Sequence, residues 1–384
     1  MDVLIVGGTG VISTAVVNEA VKQGINVTCI NRGNNHGVTP ISNVSTMHFD
    51  VRNRKIADEN LTGKHYDVVV DFICFNADQV KYSLDLFHDK CHQYVFISTD
   101  SVYKLQKDGH YDETTPQSNP EWDYSYQKAE CEKIVVDYCN KNNLIYTIVR
   151  PSITYGNTRI PYGFMPRYGY HGTLIERIKA RKPIITWNQG KNIQTMMRIE
   201  DFAVGMVGLW QNEKAYNEDF NICGEAYIWS DVLDVVDEYL GIKSIRKDVS
   251  LDSIIKTFPE KKGEFMIDRA EDHIVSNRKL KMAVPSFFLT YSLKEGVTKT
   301  LHYYETHDNV LGMDYVYDGQ VDRLINSLGG AENGKIGYVD YMGSHHVMDY
   351  YNYIIGRYGN LLITRLVNLL ERLVRKIIRI AKKL

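Results

Sequence analysis

The apolar run Val3-Leu4-Ile5-Val6 ends directly on Gly7-Gly8-Thr9-Gly10, and a helix-like pattern follows from about residue 12 to 23. Strand, tight turn and helix in that order leave few folds open. Glycines at such a turn let the backbone approach an anion, while the following helix offers it unpaired N–H groups and a positive dipole end. Gly7, Thr9 and Gly10, with Val11 and Ile12 opening the helix, are therefore the expected contacts to a dinucleotide pyrophosphate. The spacing is G-x-x-G-x-x-S, so helix and strand must pack around Ser13 where a third glycine is usual.

A second apolar run at 26–30 ends on Asn31-Arg32-Gly33, about 20 residues beyond the glycines, as a βαβ unit requires. Asn31 replaces the acidic residue expected to bond a ribose 2′-hydroxyl, and Arg32 suits a 2′-phosphate, which favours NADP over NAD. Further apolar runs at 67–73, 93–98 and 144–149 alternate with helical stretches, including Tyr124 to about Lys141. This alternation predicts an α/β fold: a Rossmann-like doubly wound parallel sheet with a smaller mixed α/β substrate lobe and a C-terminal amphipathic helix. The expected domains are 1–155 for dinucleotide binding, with later segments returning to it, and 156–307 for most of the substrate lobe. Helical patterns recur there at 201–211, 230–241 and 292–307. A Tyr/Gly-rich stretch at 308–360, either packed extension or irregular connector, precedes the basic helix 361–384.

Tyr124 and Lys128 are four apart, so on a helix they share a face. An ammonium beside a phenol, with an oxidised nicotinamide nearby, favours the phenolate and lets Tyr124 act as a base. The strand-end run Ile97-Ser98-Thr99-Asp100-Ser101-Val102-Tyr103 places Thr99 where parallel sheets hold ligands, ready to bond the reacting oxygen. Asp100 is either an acid or a strand-end cap.

These motifs together resemble the extended short-chain dehydrogenase/reductases, particularly the sugar-nucleotide epimerase and dehydratase branch, over roughly residues 2–307. Asp50-Val51 is similar to the family's adenine-contacting pair, Thr99 with Val102-Tyr103 to its strand-end motif, and Tyr124/Lys128 to its catalytic pair. Arg150-Pro151 and Tyr155-Gly156 resemble its R-P-x-x-x-Y-G segment, with Pro151 at the cofactor. Phe220-Asn221-Ile222-Cys223-Gly224 with Trp229, and the helix around Leu293-Lys294-Glu295-Gly296, resemble its substrate lobe and closing helix. The resemblance implies oxidation of a sugar hydroxyl, usually at C4, with Tyr124 removing the proton. Ser101 stands where the dehydratases carry a glutamate base, and Gln194 where many epimerases carry a diphosphate-binding arginine. Arg198 and Arg269 are alternative phosphate contacts or plain ion pairs. A keto-sugar reductase and a non-catalytic dinucleotide- or RNA-binding scaffold are the rivals.

Charge separates body from tail. Residues 361–384 hold seven Lys/Arg against Glu371, which leaves 38 basic and 46 acidic residues in 1–360, a balance of −8 that argues against a nucleic-acid partner. Leu362, Leu366, Leu369, Leu373, Ile377, Ile380 and Leu384 lie on one face of that tail, so it is expected to rest on an anionic membrane surface, on the body or on a second subunit. Six cysteines without close spacing, and no signal-peptide pattern, lead to an expectation of reduced thiols and a cytoplasmic chain, peripheral on the inner face of the membrane. A nucleotide sugar is the expected ligand, no metal site is expected, His345-His346 included, and a homodimer is left open.

Overall fold

The computed structural model describes residues 1–33, 41–167, 169–307, 312–329 and 347–359. Two compact units result, one from Met1–Pro161, Lys191–Val232 and Lys261–Thr300, the other from Tyr162–Gly190, Leu233–Glu260 and the described residues from Leu301 onward.

The first unit is built on seven strands: β1 (Asp2–Val6), β2 (Asn26–Asn31), β3 (Val44–His48), β4 (Tyr66–Asp71), β5 (Cys91–Ile97), β6 (Ile145–Pro151) and β7 (Glu218–Ile222). They lie in the order β7-β6-β5-β4-β1-β2-β3, every neighbour parallel. Successive side chains of a strand point to opposite faces, and each face here is apolar. Val3, Ile5, Val68, Val70, Val95 and Ile97 pack with Val16, Val17, Phe202 and Met206, from helices Val11–Lys22 and Ile199–Val207. Leu4, Val6, Val69, Tyr94 and Phe96 pack the other way, on Leu84 and Phe87 of helix Ala77–Phe87 and on Cys131 and Val135 of helix Asp123–Asn142. Helices on both faces of one parallel sheet are the doubly wound arrangement that the sequence predicts.

Two details had no clear sequence signal. β3 is a sheet edge whose residues are half-buried or exposed, so its Ser45 and Thr46 carry no apolar alternation. The segment after 308 includes two helices, Tyr315–Ser327 and Val347–Tyr358, both in the second unit. They cross so closely that a Cβ on Gly319 would stand 2.2 Å from Tyr353 O, and one on Gly356 2.0 Å from Val316 O. The C-terminal basic helix expected at 361–384, and His345-His346, lie outside the described residues.

The second unit also buries four charges together. The Arg177 guanidinium bonds Asp318 and reaches Asp322 at 2.9 Å, while Lys182 Nζ lies 2.7 Å from Asp318 Oδ2 and 2.8 Å from Asp322 Oδ2. Tyr353 adds a bond of 2.8 Å to Asp322. Two cations balance two anions, so deletion of one member leaves an uncompensated charge in the interior. Asp318→Ala is expected to destabilise the protein by about 3–5 kcal/mol, measured by urea unfolding; a loss under about 1 kcal/mol would mean that the network contributes little.

Candidate active site

The carboxyl ends of the strands gather the residues singled out in the sequence. Gly7, at the end of β1, has φ +86°, and a Cβ there would meet Ile73 Cγ2 at 2.6 Å. A Cβ on Gly8 would meet Cys29 Sγ at the same distance, so the turn tolerates glycine alone. Ser13 does more than replace a third glycine. Its buried hydroxyl accepts from Gly10 N at 2.9 Å and donates to Gly7 O at 2.7 Å, tying the turn to the helix it precedes. Thr9, Val11 and Ile12 remain half-buried around that helix start, and Gly10 is exposed. A capless turn is thus braced by a hydroxyl from within the helix.

The adenine side is set by β2 and β3. Asn31 Oδ1 is buried at the end of β2 with no hydrogen-bond partner among the described residues, and Arg32 next to it is exposed. Asp50 lies exposed just past β3, accepting from Arg52 N at 3.1 Å, and buried Val51 offers its carbonyl to the Tyr82 hydroxyl at 2.6 Å. A glycine-only cradle and an orphaned amide oxygen at these strand ends fit a dinucleotide. Pro151 closes β6, buried and paired with Ile222.

Lys128 is 3% exposed and donates to two carbonyls, Cys74 O beyond β4 and Ile97 O at the end of β5, each at 2.7 Å. The rings of Phe75 and Phe96 flank the ammonium at 4.9 and 5.0 Å. Burial pulls its pKa below the usual ammonium value, opposed by Cys131, Cys74 and Asp71. Thr99 follows two residues after Ile97, with its hydroxyl 3.2 Å from Ser101 Oγ and 3.4 Å from Asp100 Oδ1. Tyr124, one helical turn before Lys128, is 40% exposed with its ring tilted against Trp122 at 5.5 Å. Lys128 and Thr99 thus meet the same strand end from two directions, and Tyr124 lies one turn before Lys128 at the start of the same helix.

Three residues missed in the sequence, Asn119, Ser125 and Glu132, hold this arrangement together with Arg150 and Tyr103. Asn119 Nδ2 donates to Ser101 O and Tyr103 O at 2.8 and 2.7 Å and lies 3.0 Å from Ser125 Oγ, which donates to Ser101 O at 2.6 Å. The first turn of the Tyr124–Lys128 helix is thereby pinned to the loop bearing Thr99. Arg150 forks onto Glu132 at 2.9 and 2.6 Å and bonds the Tyr103 hydroxyl at 2.8 Å, joining β6 to the same helix. Of the three missed residues, Glu132 alone has a readable signal, since it lies four residues beyond Lys128 on the same face. The two arginines weighed as phosphate contacts are committed elsewhere. Arg198 bonds Gly296 O, Thr300 Oγ1 and Asn157, and Arg269 pairs with Glu264 and Asp268.

The strand order and the glycine turn define a dinucleotide-binding protein of the Rossmann class. The NAD dependent epimerase/dehydratase family model matches residues 3–223, more than half of the chain, and the protein belongs to that family. Chloroplast stem-loop binding protein of 41 kDa b from Arabidopsis thaliana is 28% identical over 247 residues, 60% of this chain; the match spans 61% of that relative's length. The dTDP-glucose 4,6-dehydratase of Bacillus anthracis, solved with NAD, is 19% identical, with 80% of this chain and 97% of that one covered at a TM-score of 0.63. The UDP-glucuronic acid 4-epimerase of Bacillus cereus, also solved with NAD, gives 19% identity, 80% and 99% coverage and a TM-score of 0.64. Likeness at this identity shows the shared fold.

Ser13→Ala removes both bonds of the brace and leaves a backbone N–H unpaired. A loss of about 1–3 kcal/mol is expected, read by thermal unfolding, and an unchanged melting temperature would show the hydroxyl to be dispensable.

Proposed function

We propose that this protein is an NAD(P)-dependent enzyme acting on a nucleotide sugar, oxidising a hydroxyl at C4 to a ketone on the way to an epimer or dehydrated product. The observation that carries the reading is the convergence of Lys128 and Thr99 at the end of β5, in the same sheet whose β1 ends in the glycine cradle. A bound nicotinamide supplies the hydride acceptor. The roles of this chain's own residues follow from chemistry. Lys128 keeps a positive charge beside the strand end, which favours the phenolate of Tyr124, and the phenolate takes the hydroxyl proton. Thr99 holds the reacting oxygen by a hydrogen bond. Gly7, Thr9, Gly10, Val11 and Ile12 bind the pyrophosphate, Asp50 and Val51 the adenine, and Pro151 borders the cofactor. Segment 156–307 supplies most of the sugar-binding lobe, and 1–155 with its returning segments the dinucleotide-binding domain.

Arg32 is the residue on which NADP preference rests, because a guanidinium pairs with a 2′-phosphate and Asn31 adds no competing charge. The product is assigned to envelope polysaccharide precursors, with the basic 361–384 tail holding a cytoplasmic enzyme at an anionic membrane face and a homodimer as its assembly. Among the described residues no helix is long and apolar enough to cross a membrane.

Incubation of the protein with a panel of UDP- and dTDP-sugars is the direct test. Tyr124→Phe is expected to lower turnover about 100-fold or more, and undiminished turnover would remove the mechanism. Titration with NADPH and NADH tests the cofactor preference: Arg32→Ala is expected to weaken NADPH binding about tenfold or more while leaving NADH unchanged, and equal loss for both would defeat it.

One observation favours a second reading. The Arabidopsis relative carries the name of a stem-loop binding protein, and a dinucleotide fold that binds RNA without chemistry is compatible with that name. The −8 balance of residues 1–360 weighs against it. Salt-sensitive binding of an RNA stem-loop by a protein inert towards every nucleotide sugar would reverse the ranking.

A further inference from the structure

Behind Thr99 lies a buried pair that the hydride step does not use. Asp100 is 6% exposed, and its two oxygens face different ways: Oδ1 lies 3.4 Å from the Thr99 hydroxyl and Oδ2 lies 3.5 Å from His273 Nε2. His273 is 2% exposed, stacks on Tyr111 with centroids 4.2 Å apart, and neither ring nitrogen has a hydrogen-bond partner among the described residues. Its backbone is held from both sides, His273 N donating to Ile193 O at 2.8 Å and His273 O accepting from Thr195 N at 3.1 Å. An imidazole kept this deep without partners is costly. The group it meets through Nε2 is the carboxyl of Asp100.

The surroundings set the protonation of both. Burial pushes the Asp100 carboxyl well above the usual carboxylate range, with Asp268 adding to the shift and Arg269 opposing it. Burial likewise pulls His273 below the ordinary imidazole value, with Asp268 opposing and Arg269 adding. Tyr111, stacked on the imidazole, and Cys223 are the other titratable groups coupled to Asp100, and both are themselves raised by burial. Burial thus favours the uncharged form of both groups.

We propose that His273 is a positioning residue for Asp100: as the Nε2–H tautomer it faces Oδ2, which leaves the carboxyl proton on Oδ1, beside Thr99, where Asp100 delivers it to a substrate oxygen. This rests on the enzymatic reading above. In the step, the Oδ1–H bond of Asp100 breaks and an O–H bond forms on the substrate. The electron pair stays on the carboxylate, which His273 Nε2–H then stabilises, and the proton returns when the step reverses or from solvent after product leaves. The active site thereby holds an acid distinct from the Tyr124 base, at the place where Ser101 replaces the glutamate of the dehydratases. A step using this proton slows as pH rises and Asp100 ionises, at a higher pH than an ordinary carboxylic acid would give.

Nitrogen-15 NMR of histidine-labelled full-length protein tests the pair without any substrate, the His273 signals being assigned by their loss in His273→Gln. A neutral Nε2–H tautomer is expected at neutral pH, with Nε2 shifting in Asp100→Asn; an Nδ1–H tautomer or a charged ring would overturn the proposal. The second arm is the pH profile on whichever UDP- or dTDP-sugar turns over. His273→Phe keeps the stacking on Tyr111 but removes the donor to the carboxylate, so kcat is expected to fall about tenfold or more with KM little changed, and the alkaline limb to move up in pH. His273→Gln, which restores an N–H donor, is expected to bring the limb back. If His273→Phe does not fold, His273→Asn, which is too short to reach Oδ2, carries the same comparison. Unchanged kcat and limb in a folded variant, while Tyr124→Phe is inactive, would sink this proposal alone. Full activity in Tyr124→Phe would sink the enzymatic mechanism itself.

Discussion

A buried ammonium satisfied by neutral groups is the interaction on which this site depends. Lys128 has two backbone carbonyls and two aromatic faces as neighbours, and the carbonyls belong to the ends of different strands. A cation so placed pays a desolvation cost that a carboxylate would offset more fully. Among the described residues no carboxylate pairs with it, so its charge acts towards the strand end instead of being cancelled. The helix that carries Lys128 is fixed to the sheet by Arg150 and Glu132 and to the strand-end loop by Asn119 and Ser125, so the ammonium stays in register with Thr99.

Charge placement is divided sharply in the first unit. The strand ends hold glycine, amide and hydroxyl groups around the buried Lys128, while Glu132 nearby is matched by Arg150 and burial disfavours the charged form of Asp100. This division suits a ligand that brings its own negative charge to the glycine turn and a polyol to the strand end of β5. In the second unit the buried charges cancel among themselves, and their chemistry is structural.

The sheet was legible in the sequence because parallel strands covered on both faces are continuous apolar runs, and helix starts and strand ends then follow from glycine and polar punctuation. Thr99, Lys128 and the glycine turn were legible because their position relative to those runs fixes where they must lie. β3 was not, since an edge strand with exposed Ser45 and Thr46 lacks a period. The helices after 308 were obscured by Asp318 and Asp322, acidic residues that face inward to Arg177 and Lys182, and by glycines placed for backbone contact rather than for a turn. His273 gave no signal because its meaning comes from the pairing of Ile274 and Val275 with His110 and Tyr111, a contact across more than 160 residues. Ser13 was read as a tolerated substitution, yet its hydroxyl is what closes the turn.

Strand order also dictates a sequence of events on the ribosome. β1 is an interior strand, but its second neighbour, β4, ends only at Asp71, and β6 gains its outer partner only once Ile222 has been synthesised. Until then the nascent sheet presents an open β6 edge with apolar faces awaiting helix Ile199–Val207. Chains interrupted between 151 and 222 thus leave the β6 edge open to pairing with another chain.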